Sequence, residues 1–370
     1  MTRGYSYDPH VVPGVTDESD EYFDRLVDEA ALESYLRANL GDADDFEVRR
    51  HQAGHSNETL FVTWGGEELV LRRPPPGETA EKAHDVLREY SVVDALQSTD
   101  VPLPRTVLAC DDHDVVGSDF YLMERLDGTV VRGGDGDPLS EPAARKRVGE
   151  ELVDTLAAIH TVDVDDVGLT EFGHPEGFSQ RQVKRWSEQL TWAFSKTSDE
   201  REVPAIYDVM EWLQENAPEE HPHTLVHGDY KLDNVMYDLA DEPELIGVFD
   251  WEMSTLGDPL TDLGWMLSFW RDAGDPDPVS GEFFDPFLEN DGYPTRRELV
   301  DRYEAATGIE YTNDRFYRAL AVYKLCGLGE MFFARHLAGD ADDPLYPKMR
   351  EAVPALADRA QRIIDGEEPL

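Results

Sequence analysis

The chain has 370 residues, a formal net charge of −46, and 79 acidic residues against 33 basic ones, only seven of them lysine. Such a surface excludes non-specific nucleic-acid binding, which needs a basic face, and docking on anionic lipid. Seven Trp, fifteen Tyr and fifteen Phe exclude a disordered acidic chain.

The acidic excess runs along the whole chain and lysine is scarce, as in a protein solvated for concentrated salt, where self-repulsion is screened. A haloarchaeal cytoplasm fits that composition. No apolar run reaches the ~18 residues of a membrane span. Met1 to Ser19 is polar and lacks an apolar signal-peptide core, so a cytoplasmic location is expected. Cys110 and Cys326 lie far apart without metal-type spacing and are expected to be buried thiols.

Residues 1–20 read as a loose arm. Phe23, Leu26, Val27, Ala30, Leu32, Leu36 and Leu40 then recur at helical spacing, giving an arm-plus-helix segment over 1–44. Strands are predicted at Phe46–Val48, Leu60–Trp64 and Leu69–Arg72, the last two flanking the turn signal Gly65-Gly66. Pro74-Pro75-Pro76 ends the third. A helix over 79–97 (Ala83, Val86, Leu87, Tyr90, Val93, Leu96) precedes strands near 105–110 and 119–125. Residues 45–126 thus form a small antiparallel sheet with one helix.

The Gly- and Asp-rich stretch Gly128–Pro138 is the best boundary. From there to residue 370 the chain is mainly helical, with helices over 178–195, 204–216, 258–270, 295–306, 313–337 and 347–364. A strand–loop–strand segment over 224–250 interrupts them. The expectation is an α+β chain in two lobes, small sheet first and helical body second.

The chemistry is concentrated in His227-Gly228-Asp229-Tyr230-Lys231-Leu232-Asp233-Asn234 and in Asp250-Trp251-Glu252. A carboxylate, an amide five positions later and a second carboxylate beyond a hairpin are the parts of a phosphoryl-transfer site. Asp229 orients the acceptor hydroxyl and takes its proton. Asn234 and Asp250 offer hard oxygens to Mg²⁺, which needs few protein ligands beside phosphates and water. The spacing matches the protein-kinase loop H-R-D-x-x-x-x-N, with Gly228 in place of Arg, and predicts a bilobal protein-kinase-like fold.

Asp258-Pro259 suits a helix N-cap. Asp262 then falls in the first turns of that helix, facing the core and bracing the loop near His227. Arg72, at the end of the third strand, is the candidate phosphate cation, with Glu89 its helix partner. Arg73 points to the opposite face by strand alternation. Gly54, Ser56 and Asn57, in the loop between the first two strands, could cover phosphates with backbone N–H groups. Glu124 and Leu126, in the connection between lobes, are candidates to bond adenine through their backbone.

On these motifs the chain resembles the aminoglycoside phosphotransferase/choline kinase superfamily. Gly228 and Asp250-Trp251-Glu252 carry that resemblance. Leu69–Gly77, Ser179–Gln189, Asp250–Gly264 and Arg335 make it most similar to the kinase domain of acyl-CoA dehydrogenase family members 10 and 11 and to stand-alone prokaryotic relatives. The resemblance covers roughly residues 45–340. It implies Mg²⁺ and ATP as cofactors, and phosphorylation of a hydroxyl on a small molecule. For that subgroup the substrate implied is a hydroxy acid or hydroxyacyl-CoA, whose hydroxyl becomes a leaving group. Any partner acyl-CoA dehydrogenase is expected to be a separate polypeptide.

Arg181, Lys184, Arg185 and Trp186 form a cationic and aromatic cluster that suits an anionic acceptor. Two alternatives remain at this stage: an aminoglycoside or amino-alcohol kinase, and a silent nucleotide-binding regulator. The second is disfavoured because Arg72, Glu89, Asp229, Asn234 and Asp250 are all present.

Overall fold

The computed structural model describes residues 22–51, 57–76, 85–132, 139–276, 286–339 and 343–370. It divides into two compact units. One gathers the chain up to Asp127 together with Gly247–Glu252; the other holds Gly128–Ile246 and Met253–Leu370.

The first unit is built on a five-stranded antiparallel sheet. Helix α1 (Glu29–Leu40) precedes strands β1 (Phe46–Arg50), β2 (Glu58–Trp64) and β3 (Glu67–Arg73). Helix α2 (Val86–Ala95), strand β4 (Thr106–Cys110), the short helix α3 (His113–Val116) and strand β5 (Phe120–Glu124) follow. The spatial order is β1-β2-β3-β5-β4.

The helical segment expected around Phe23 to Leu40 is broken in two: residues 22–24 form a short helical turn, and α1 begins at Glu29, where the Asp28 carboxylate accepts the N–H groups of Ala30 and Ala31 and caps a new helix. Gly65 and Gly66 both take positive φ, which matches the β2–β3 hairpin to the twist of its strands. Alternation sorts the side chains. Leu60, Val62, Leu69 and Leu71 join Leu32 and Leu36 of α1 on one face. Val70, Tyr121 and Met123 meet Val86 of α2 on the other. The 1–20 arm and the first part of the predicted 79–97 helix lie outside the described residues.

The second unit is mainly helical: α4 (Pro142–His160), α5 (Phe178–Thr197), α6 (Ala205–Asn216), α7 (Pro259–Phe269), α8 (Arg296–Thr307), α9 (Asp314–Ala338) and α10 (Met349–Asp365). Helix α9 packs against α5, α7 and α10 and is buried along most of its length. Two short ladders interrupt the helices. Strand β6 (Thr224–Val226) pairs with β9 (Thr255–Gly257), and β7 (Val235–Asp238) pairs with β8 (Glu244–Val248). Strand β9 was not anticipated from sequence; at three residues it is too short to show alternation. Among the described residues no helix is long and apolar enough to cross a membrane.

Two sequence segments far apart meet at Asp258. Its carboxylate caps α7 through Leu260 N–H and also accepts hydrogen bonds from Ser179 (2.9 Å) and Tyr317 (2.8 Å). Ser179 opens the Ser179–Gln189 stretch, and Asp258 lies in Asp250–Gly264. One buried carboxylate with three donors ties α5, α7 and α9 together.

Candidate active site

Strand β6 delivers the chain to His227, and Asp262 on α7 receives it. The Asp262 carboxylate accepts the N–H of His227 (2.6 Å) and of Gly228 (2.9 Å). His160 Nε2 lies 3.4 Å from the same carboxylate, and its Nδ1 is bonded to Tyr303 (2.7 Å). Burial works to raise the Asp262 pKa, but His160, His227 and the backbone donors outweigh it and hold the carboxyl below its ordinary value. An ionised carboxylate bonded to two consecutive amides fixes the backbone of the loop.

Gly228 has φ of 84°, and a Cβ there would come within 2.7 Å of the Met253 carbonyl. A glycine is required at this turn, which accounts for the absence of the protein-kinase arginine.

Asp229 follows. Its N–H donates to His227 Nδ1 at 3.2 Å. Oδ1 accepts from Trp265 Nε1 (2.8 Å), Oδ2 accepts from Asn234 Nδ2 (2.8 Å), and Lys231 Nζ lies 3.1 and 2.9 Å from the two oxygens. Asn234 Nδ2 also donates to the Asp229 carbonyl (2.7 Å), which turns the amide oxygen away from the carboxylate. Burial would raise the Asp229 pKa, but Lys231, Lys324 and His227 lower it below the ordinary value. Asp229 is therefore ionised at neutral pH.

Lys324, on the buried helix α9, donates to the Gly228 carbonyl (2.6 Å), and its ammonium lies 3.7 Å from the centre of the Trp265 ring. Trp186 is 5.8 Å away on another side. Burial pushes the Lys324 ammonium down to about 8; Asp229 opposes that, while Lys231 and Arg185 add to it.

A second charged cluster is confined to the first unit. Arg72 Nη2 bonds both oxygens of Glu89 (3.1 Å each) and Asp250 Oδ1 (3.3 Å). Burial disfavours the charged guanidinium, yet Glu89, Tyr121 and Asp250 outweigh it and hold Arg72 above its ordinary pKa. Burial raises the Glu89 pKa against the pull of Arg72. Arg73 points to the other face, where it donates to the carbonyls of Leu26 and Val116 (2.6 Å to the latter). Asp250 has φ of 66°, a left-handed conformation uncommon outside glycine.

The remaining expected residues are scattered. Gly54 and Ser56 lie outside the described residues. Asn57 Nδ2 donates to Glu252 (3.3 Å). Glu124 is tied to Arg105: its N–H donates to the Arg105 carbonyl and its carboxylate accepts the Arg105 N–H. Leu126 packs against Gly247.

Residues 181–186 do not act as one cluster, because successive helical positions turn by about 100°. Arg181 caps the carbonyls of His174 and Glu176. Lys184 is three-quarters exposed beside Glu188 and lines an open groove of about 660 Å³ between α5 and α6. Arg185 lies over Trp186, and these two face Lys324. Arg335 is exposed.

Sequence reading missed His160, Lys231, Trp265 and Lys324. Lysine scarcity could have found the two lysines: both are retained among only seven, one inside the motif and one in the apolar run Ala321-Val322-Tyr323-Lys324-Leu325.

Among the described residues no group of three or more His, Cys, Asp or Glu side chains is arranged to hold a metal. Mg²⁺ carried in on phosphates asks for only one or two protein oxygens. The amide oxygen of Asn234, directed away from Asp229, and the partly exposed Asp250 carboxylate are donors of that kind.

The sequence profile described as "Phosphotransferase enzyme family" matches residues 47–299. Human acyl-CoA dehydrogenase family member 11 is 34% identical over 341 residues, covering 89% of this chain and 42% of the relative. The chain thus spans less than half the length of that relative. A solved structure from Ralstonia eutropha, described as a candidate aminoglycoside phosphotransferase, is 30% identical with a TM-score of 0.77, covering 92% of this chain and 98% of its own. The ADP-bound aminoglycoside phosphotransferase APH(2'')-Ib shares the fold at a TM-score of 0.57 and 14% identity, covering 90% of this chain and 99% of its own. The α+β kinase-like architecture is common to all these structures.

Proposed function

The chain belongs to the Phosphotransferase enzyme family, a small-molecule phosphotransferase with a hydroxyl acceptor; from that premise we propose that it transfers the γ-phosphoryl group of MgATP to a hydroxy acid or hydroxyacyl-CoA. The observation that carries the acceptor class is the charge around Asp229. Lys231 contacts this one carboxylate and Lys324 acts on it, with Arg185 close to Lys324, while Asp262 is committed to His160 and two backbone amides. The local excess is positive in a chain of charge −46. It attracts a carboxylate or CoA phosphate and repels a polycationic aminoglycoside.

In the proposed reaction the acceptor hydroxyl donates a hydrogen bond to Asp229. Its oxygen forms a bond to the γ-phosphorus as the bond from that phosphorus to the β–γ bridging oxygen breaks. Asp229 takes the proton and ADP leaves. A carboxylate held below its ordinary pKa is a weak base, which suits a loose transition state in which the proton moves late. Asp262 holds the loop, and Arg72 meets the donor phosphates. Asn234 and Asp250 are the residues that would hold Mg²⁺, which when bound neutralises developing charge on the phosphates. The phosphate ester makes the former hydroxyl a leaving group, and an acyl-CoA dehydrogenase is the proposed later partner, acting in a salt-rich cytoplasm.

The test is ADP formation from MgATP in concentrated KCl with hydroxy acids, hydroxyacyl-CoAs and kanamycin in parallel. Turnover with the first two and none with kanamycin is expected. Turnover with kanamycin alone would make it an aminoglycoside kinase, and ATP binding without turnover in any arm would favour a silent regulator.

A further inference from the structure

The Asp229 carboxylate is held from a side that the phosphoryl-transfer motif does not supply. Trp265, on α7, donates its indole N–H to Oδ1 at 2.8 Å. Lys324, on α9, places its ammonium 3.7 Å from the centre of that same indole ring and donates to the Gly228 carbonyl at 2.6 Å. The two contacts reinforce each other. A cation over the ring face withdraws density from the indole, which makes its edge N–H a stronger donor. The same ammonium pins the peptide immediately before Asp229. Trp265 is 3% exposed and Lys324 9%, so water competes little for either contact.

We propose that Trp265 and Lys324 are a positioning pair for the catalytic carboxylate: the indole N–H fixes the rotation of Asp229 and the charged lysine holds both the indole and the Gly228 peptide in place. The inference rests on Asp229 being the catalytic carboxylate. It assigns work to α7 and α9 rather than to the loop. With Oδ1 held by Trp265 and Oδ2 by Asn234, the carboxylate keeps one orientation toward the acceptor. Without Trp265 it is free to rotate onto Lys231, whose Nζ already lies within 3.1 Å of both oxygens.

The pair is sensitive to pH through Lys324. The charged and titratable groups facing it are Asp229 and Lys231 from the loop, Asp262 from α7 and Arg185 from α5. Burial brings its ammonium down to about 8, so the bridge is charged below that pH and lost above it.

The test measures phosphate released from MgATP with water as acceptor, for wild type, Asp229→Asn, Trp265→Phe, Lys324→Met and Lys324→Arg. Trp265→Phe and Lys324→Met are expected to lower kcat at least about tenfold with KM for ATP within about twofold of wild type, as for loss of one charge-linked hydrogen bond. Wild type is expected to lose activity above about 8, and Lys324→Arg to recover most of the loss and to abolish that alkaline limb. A second readout needs no turnover: the indole N–H resonance of Trp265 is expected to move upfield in Asp229→Asn. Trp265→Phe with kcat within twofold of wild type overturns the pair, as does an alkaline limb kept in Lys324→Arg or an unmoved indole resonance. If Asp229→Asn also keeps its turnover, the assignment of Asp229 fails and the pair with it; if only Asp229→Asn is inactive, the pair alone fails.

Discussion

The two units each hold a partly buried charged cluster, and the clusters have opposite balance. In the first unit one guanidinium, Arg72, serves two carboxylates, Glu89 and Asp250. In the second, one carboxylate, Asp229, serves two lysines with Arg185 nearby. Buried charge without balance is costly, so each cluster is best satisfied by something bound. On the proposed reading the first, short of positive charge, takes Mg²⁺, and the second, short of negative charge, takes an anionic acceptor. The same residue types do opposite work because the ratio of acid to base is inverted.

The contrast can be broken at either end. The largest effect on stability is expected from Arg72→Gln. It strands Glu89, 2% exposed, beside Asp250, and should cost about 3 kcal/mol in denaturant unfolding. The double variant with Glu89→Gln should cost less, since it leaves only the Asp250 charge. Asp250→Asn removes negative charge from the same cluster. It is expected to raise the Mg²⁺ concentration needed for half-maximal turnover about tenfold, measured by titrating Mg²⁺ at fixed ATP.

A smaller effect is expected from pH. Because burial lowers Lys324 from 10.5 to about 8, the folded chain binds fewer protons than the unfolded chain between those values. Stability should therefore rise with pH across that window relative to Lys324→Met, for which this contribution is absent. Thermal melts of the two proteins at several pH values check the sign.

The same asymmetry separates what the sequence made legible from what it hid. Arg72, Glu89, Asp229, Asn234, Asp250 and Asp262 are readable because motif spacing marks them, and the helices after residue 140 because apolar periodicity does. His160, Trp265 and Lys324 are not marked in this way. They come from α4, α7 and α9 and reach the loop only through packing, so no local pattern ties them to Asp229. Arg181 and Lys184 show the reverse error. They stand beside Arg185 and Trp186 in the sequence, yet helical rotation takes Arg181 to the carbonyls of His174 and Glu176 and Lys184 to an exposed groove. Charge retained against composition is a weak signal: it fits Lys231 and Lys324, but Lys146, Lys184, Lys196 and Lys348 are exposed.

Phosphorus NMR of a hydroxy acid incubated with MgATP, comparing wild type with Asp229→Asn, tests the central claim most directly. A phosphate ester resonance growing with wild type, and slowed about 10²–10⁴-fold in the variant at unchanged ATP affinity, is the predicted result. An ester formed equally fast by both proteins would contradict it.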